Sequence, residues 1–143
     1  MRRLTASSAA WLVLFAAITA CAAHPRRDPY SALSGQWGWT SDHARSCARN
    51  PHTLAFSADR RFLILRHRAP IDTFDGSKRS EAYYRVLQSN ADSITLSLEG
   101  ETRHQRDGRT VVWEMRLLSD SAYCWRRTDK SDRSCSAPIV RCE

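Results

Sequence analysis

Apolar and polar residues alternate with period two in short runs along this chain, and turn-forming residues separate the runs. Side chains at i and i+2 share a face of a strand. Residues 53–57 place Leu54 and Phe56 on one side. Residues 61–67 set Phe62 and Ile64 opposite Arg61, Leu63 and Leu65, and Ser57-Ala58-Asp59-Arg60 is a tight turn between the two runs. This pair predicts a β-hairpin. Residues 68–80 hold Pro70, Asp75-Gly76 and Lys78 and read as a longer polar loop. Residues 81–88 alternate again, Tyr84 and Val86 against Tyr83, Arg85 and Leu87. Residues 93–99 give the cleanest alternation, with Ile94, Leu96 and Leu98 on one face and Ser and Thr on the other. In residues 110–118 Trp113, Met115 and Leu117 share a face, and then Tyr123 and Trp125 face in while Cys124 and Arg126 face out. Residues 138–142 make a short last strand, with Pro138 suited to its start.

Upstream, Gly35-Gln36-Trp37-Gly38-Trp39 opens the folded part, with both Trp on one face and both Gly allowing close approach of a neighbour. Residues 41–51 read as a loop carrying Cys47. No segment has the 3.6-residue periodicity of an amphipathic helix. The expectation is an all-β domain: a small antiparallel up-and-down β-barrel of about eight strands. Closure leaves no open strand edge.

Residues 1–20 do not fit that pattern. Met1-Arg2-Arg3 precedes an apolar run of about ten residues, too short for a bilayer core of roughly 30 Å. A basic start, a short apolar middle and a small-residue end predict an export signal. Ile18-Thr19-Ala20-Cys21 resembles a bacterial lipobox. That resemblance implies cleavage before Cys21, diacylglycerol on its thiol and N-acylation. It divides the chain into a signal at 1–20, a lipidated tether at 21–34 and a barrel domain at 35–143. Ala22 follows the Cys where an Asp would mark inner-membrane retention in enterobacteria, so the resemblance places the protein at the outer membrane, facing the periplasm.

Export changes the reading of the cysteines. With Cys21 given to lipid, Cys47, Cys124, Cys135 and Cys142 remain, an even number suited to disulfides. Four cysteines allow three connectivities, and the sequence leaves all of them open. A bridge from Cys47 to Cys124 or Cys142 would tie the domain's ends together, whereas Cys124–Cys135 would close a short loop. The formal net charge is +7, two of it in the signal. Outside the cytoplasm this favours anionic partners, and nucleic acid is not among them. The basic residues are scattered among acids and read as a solvated surface.

Gly35-Gln36-Trp37 near the start of a small exported all-β domain resembles the Gly-x-Trp opening of lipocalins and other calycin barrels. In that superfamily the Trp closes one barrel end against a basic residue from the last strand, and Arg141 is the matching position. The resemblance implies a barrel and names no ligand.

The candidate chemistry is sparse. His43, Cys47 and His52 have a zinc-like spacing, but an exported Cys belongs in a disulfide, so no metal and no cofactor are assigned. Glu99 and Glu101 with Arg103 read as an exposed ion-pair group at a strand end, worth roughly 0–1 kcal/mol. No nucleophile–base set is present, and the chain is not read as an enzyme. The inward residues are strongly aromatic: Trp37, Trp39, Phe56, Phe62, Tyr84, Trp113, Tyr123 and Trp125. Of these, Trp37, Trp39, Tyr84, Trp113, Tyr123 and Trp125 are the candidates for an apolar ligand cup, and the same rings would also fill a solid barrel. The functional expectation is a membrane-anchored binding module for a hydrophobic or anionic small ligand. The alternative is an envelope structural or protein-interaction lipoprotein with a filled barrel.

Overall fold

The structure is a computed structural model that describes residues 28–40, 43–130 and 135–143. Cys21 and the signal expected at 1–20 lie outside the described residues. Eight antiparallel strands close into a barrel: β1 (Gly35–Trp39), β2 (His52–Phe56), β3 (Phe62–Asp72), β4 (Lys78–Ser89), β5 (Ser93–Leu98), β6 (Trp113–Ser119), β7 (Ala122–Arg127) and β8 (Ile139–Arg141). Each strand pairs with its sequence neighbours, and β8 closes onto β1 through Trp37↔Arg141 and Trp39↔Ile139. This is the all-β up-and-down barrel expected from the alternation.

The barrel has a filled end and an open end. At the filled end, α1 (Pro29–Leu33) lies across the mouth, with Pro29 in its first turn, where a missing N–H costs nothing. Leu33 is completely buried among Trp37, Leu54, Leu63, Ile94, Met115, Tyr123 and Ile139. The Trp37 indole N–H donates to the Leu33 carbonyl at 2.8 Å, and its ring meets Tyr123 edge-on at 4.8 Å. The Arg141 guanidinium sits 4.3 Å from the Trp37 ring centre and donates to the Ser34 and Ala32 carbonyls. Gly35 makes room for it: its φ is +125°, and a Cβ there would lie 2.7 Å from Arg141 Nη1. The first strand, the last strand and the capping helix are thus pinned at one point.

Four local features differ from the sequence reading. The tether's last residues form α1 and pack into the core, because Leu33 supplies the apolar plug that the barrel end lacks. Residues 43–49 form α2 (His43–Arg49) rather than a loop. It lies on the outside of β1, where a Cβ on Gly38 would come 2.7 Å from Cys47 Sγ. Residues 68–80 are not a polar loop, since β3 and β4 continue to Asp72 and from Lys78, past a register shift between Arg66 and Ile71. The hairpin therefore overhangs the open end. Phe62 also differs: it faces outward, 43 % exposed, while Leu63, Leu65 and His67 face the barrel axis.

Two disulfides pair the cysteines. Cys47–Cys142 joins α2 to the chain just past β8 across 95 residues, and Cys124–Cys135 closes an 11-residue separation beside β7.

Candidate functional site

Above the filled half the barrel opens into a cavity of about 730 Å³. Its walls come from the upper ends of the strands. Trp39 of β1, Leu65 of β3, Ala82 and Tyr84 of β4, Trp113 of β6 and Trp125 of β7 all line it. Ile71 and Phe74 reach it from the overhanging β3–β4 hairpin. A smaller lobe of about 300 Å³, lined also by His52, Ser46 and Arg49, shares Trp39, Leu65, His67, Ile71 and Trp125 with it.

The six aromatic candidates separate into two groups. Trp39, Tyr84, Trp113 and Trp125 line the cavity. Trp37 and Tyr123 are fully buried beneath it, in the filled half. The rings form one connected series. Tyr123 meets Trp125 at 6.3 Å, and Trp125 meets Tyr84 at 5.5 Å and Trp113 at 6.3 Å. Burial raises the Tyr84 phenol to about 12, so it is a neutral hydroxyl at the cavity wall. Tyr123 is pushed up for the same reason.

One rim of the cavity is built around Glu101, whose side chain has no exposed surface. The carboxylate accepts from Arg103 N at 3.0 Å, from Arg103 Nε and Nη2 at 2.7 Å each, and from the Trp113 indole at 3.2 Å. Burial alone would raise the carboxyl, but the Arg103 and Trp113 hydrogen bonds outweigh it and hold the group ionised. This is a correction to the exposed ion pair expected here: the acid is buried and fully hydrogen-bonded. The Arg103 guanidinium stacks 3.9 Å from the centre of the Phe74 ring and 5.1 Å from that of Trp113. It so links the 99–112 loop to the hairpin overhang. The other guanidinium on the main cavity wall, Arg79, is held by Asp75 at 2.8 Å. Among the described residues, these two guanidinium groups of that wall are each paired with a carboxylate, and Asp72, Glu81 and Glu99 also line it, so a ligand meets an aromatic surface with an acidic rim.

The floor of the smaller lobe is polar. His52 is buried, with Nε2 2.6 Å from the Tyr123 hydroxyl, and desolvation followed by the nearby His67 lowers it to about 4. Desolvation also lowers His67. The zinc-like trio of the sequence does not assemble, because Cys47 is bonded to Cys142 on the outer face while His52 points inward. His67 was missed as a site residue, although the 63-65-67 alternation puts it on the inner face. Ile71, Phe74 and Arg79 were missed because their segment carries no alternation.

Among the described residues no group of three His, Cys, Asp or Glu side chains gathers in metal-binding positions. Comparison of the chain with family models, with curated proteins and with solved structures found no match.

Proposed function

We propose that the protein is an exported lipoprotein, anchored through Cys21, whose half-open barrel is a calycin-like binding module for a small hydrophobic or anionic ligand. One observation carries the ligand reading: the barrel is filled on one side of Tyr123 and open on the other. A barrel built only for stability has no use for a cavity of about 730 Å³ walled by Trp39, Tyr84, Trp113 and Trp125. That volume falls in the range of small-molecule sites, which combine apolar walls with a few polar groups. The paired state of Arg79 and Arg103 favours a ligand whose main body is apolar, with any anionic group turned toward Arg49 in the smaller lobe. The anchor reading rests on the lipobox-like residues 18–21 and places the domain at the periplasmic face of the outer membrane.

Three tryptophans line the cavity, so intrinsic fluorescence reports on occupancy. The full chain is titrated with fatty acids, lipopolysaccharide fragments and small aromatic compounds. A saturable change at one ligand per chain is expected. A flat titration across all three classes overturns the ligand reading and favours a protein-interaction role, for which the exposed Phe62, Leu87 and Leu118 on the outer wall would be the contact residues. For the anchor, Cys21→Ser should release the protein from membranes, and unchanged retention in the membrane fraction contradicts it.

A further inference from the structure

The smaller lobe carries a pair of imidazoles that an apolar cup does not require. His52 on β2 and His67 on β3 are direct cross-strand partners. The backbone bond from Arg68 N to Pro51 O, at 3.1 Å, puts residues 51 and 68 in a hydrogen-bonded position. The alternation of the ladder then puts His52 and His67 in a non-hydrogen-bonded position, where facing side chains approach closest. Their ring centres are 5.4 Å apart, with the planes inclined at 50°. The Nδ1 atoms of both rings are buried and have no hydrogen-bond partner. A buried polar atom left unpaired is costly, so two on facing rings call for an occupant.

We infer that His52 and His67 form a two-histidine half-site for a divalent transition-metal ion of the imidazole-preferring class, Zn²⁺, Ni²⁺ or Cu²⁺, with its remaining coordination positions open to the cavity. The spacing fits such an ion. A metal held about 2.0–2.1 Å from a ring nitrogen lies about 3.2 Å from the ring centre, and two rings at a tetrahedral angle then have centres about 5 Å apart. The surroundings fit as well. When the His52 Nε2–H donates to the Tyr123 hydroxyl, Nδ1 is left as a bare lone pair, the state a metal ligand needs, and the ring is held in place by an outer hydrogen bond. No third protein ligand stands beside them among the described residues, so water or a donor atom of a bound molecule completes the shell. The site does not depend on the ligand proposed for the aromatic cavity.

The test uses the full chain without a polyhistidine tag, with its disulfides intact and the Cys21 thiol lipidated or blocked by alkylation so that no thiol competes. Zn²⁺ is titrated by calorimetry. Cu²⁺ is titrated in parallel by tryptophan quenching, since Trp39 lies 6.4 Å from the His52 ring. One ion per chain is expected, with affinity falling at least about 100-fold in His67→Gln, which leaves a single imidazole. His104→Gln should bind as the parent does. Near-UV circular dichroism checks that His67→Gln keeps its aromatic packing, and His52→Gln provides a second variant at the other ligand. Absence of saturable binding in the parent chain, or parent-like binding in both His52→Gln and His67→Gln, overturns the site.

Discussion

Lowering the pH from 7 to 5 should destabilise this protein by about 2 kcal/mol, mainly through His52. The imidazole sits in the barrel interior, 2 % exposed, and its pKa falls from an ordinary 6.5 to about 4. Between those values the unfolded chain carries a proton that the folded chain refuses. Stability therefore rises with pH across that window, is fully present above about 6.5, and is lost as pH falls toward 4. Each unit of displacement is worth about 1.36 kcal/mol, so the whole window amounts to about 3 kcal/mol and the part between pH 7 and 5 to about 2. The upper part isolates histidine, because unfolded carboxylates titrate near 4 and contribute little above pH 5. His67 is lowered as well and adds in the same direction. The assay is urea unfolding at pH 7, 6 and 5, followed by tryptophan fluorescence with a chelator present. His52→Gln should flatten most of the pH dependence while keeping a polar group near the Tyr123 hydroxyl. If His52→Gln loses stability with acid as steeply as the parent, the buried neutral imidazole is not the cause and the reasoning fails.

Two other perturbations probe the frame that holds the cavity. Replacing both Cys47 and Cys142 by Ala removes a cross-link over 95 residues, and urea unfolding should show a loss of about 4–5 kcal/mol, against about 3 for the Cys124–Cys135 pair. Equal losses for the two pairs would contradict the loop-length argument. Gly35→Ala should cost about 2 kcal/mol or more, since φ is +125° and the new Cβ would meet Arg141 Nη1 at 2.7 Å. A melting temperature equal to the parent's would show that Arg141 is not fixed against Trp37.

The strands were legible where one face is core and the other solvent. Ile94, Leu96 and Leu98 alternate with Ser and Thr because β5 turns its apolar side to the core, while Thr95 and Ser97 on the other side are only part-buried. The same pattern fails where the wall has no filled core behind it. Past Arg66, β3 and β4 rise above the filled half, so their inner residues need not be apolar, and Pro70 sits beside the register shift where a ladder hydrogen bond is already interrupted. The helices α1 and α2 have five and seven residues, too few for a readable 3.6-residue period, and are held by tertiary contacts: Leu33 in the core, Cys47 in a disulfide. The site followed the same division. The ring candidates were recoverable from strand alternation, but alternation does not encode depth along the axis, so Trp37 and Tyr123 could not be told from Trp39 and Trp125. The burial of Glu101 depends on Trp113, Arg103 and Phe74 meeting over it, which spacing along the chain does not convey.

The central claim is that the open half of the barrel takes the ligand. Ala82 is part-buried on the inner wall, opposite Leu65, and lines the cavity. Ala82→Trp would fill that space without disturbing the core beneath it. Titration of the parent and of Ala82→Trp with the tightest-binding compound found by fluorescence tests the claim most directly. Affinity should drop at least about tenfold, or about 1.4 kcal/mol, with the melting temperature unchanged or raised. Unchanged affinity in a folded Ala82→Trp protein would place binding elsewhere and contradict the account.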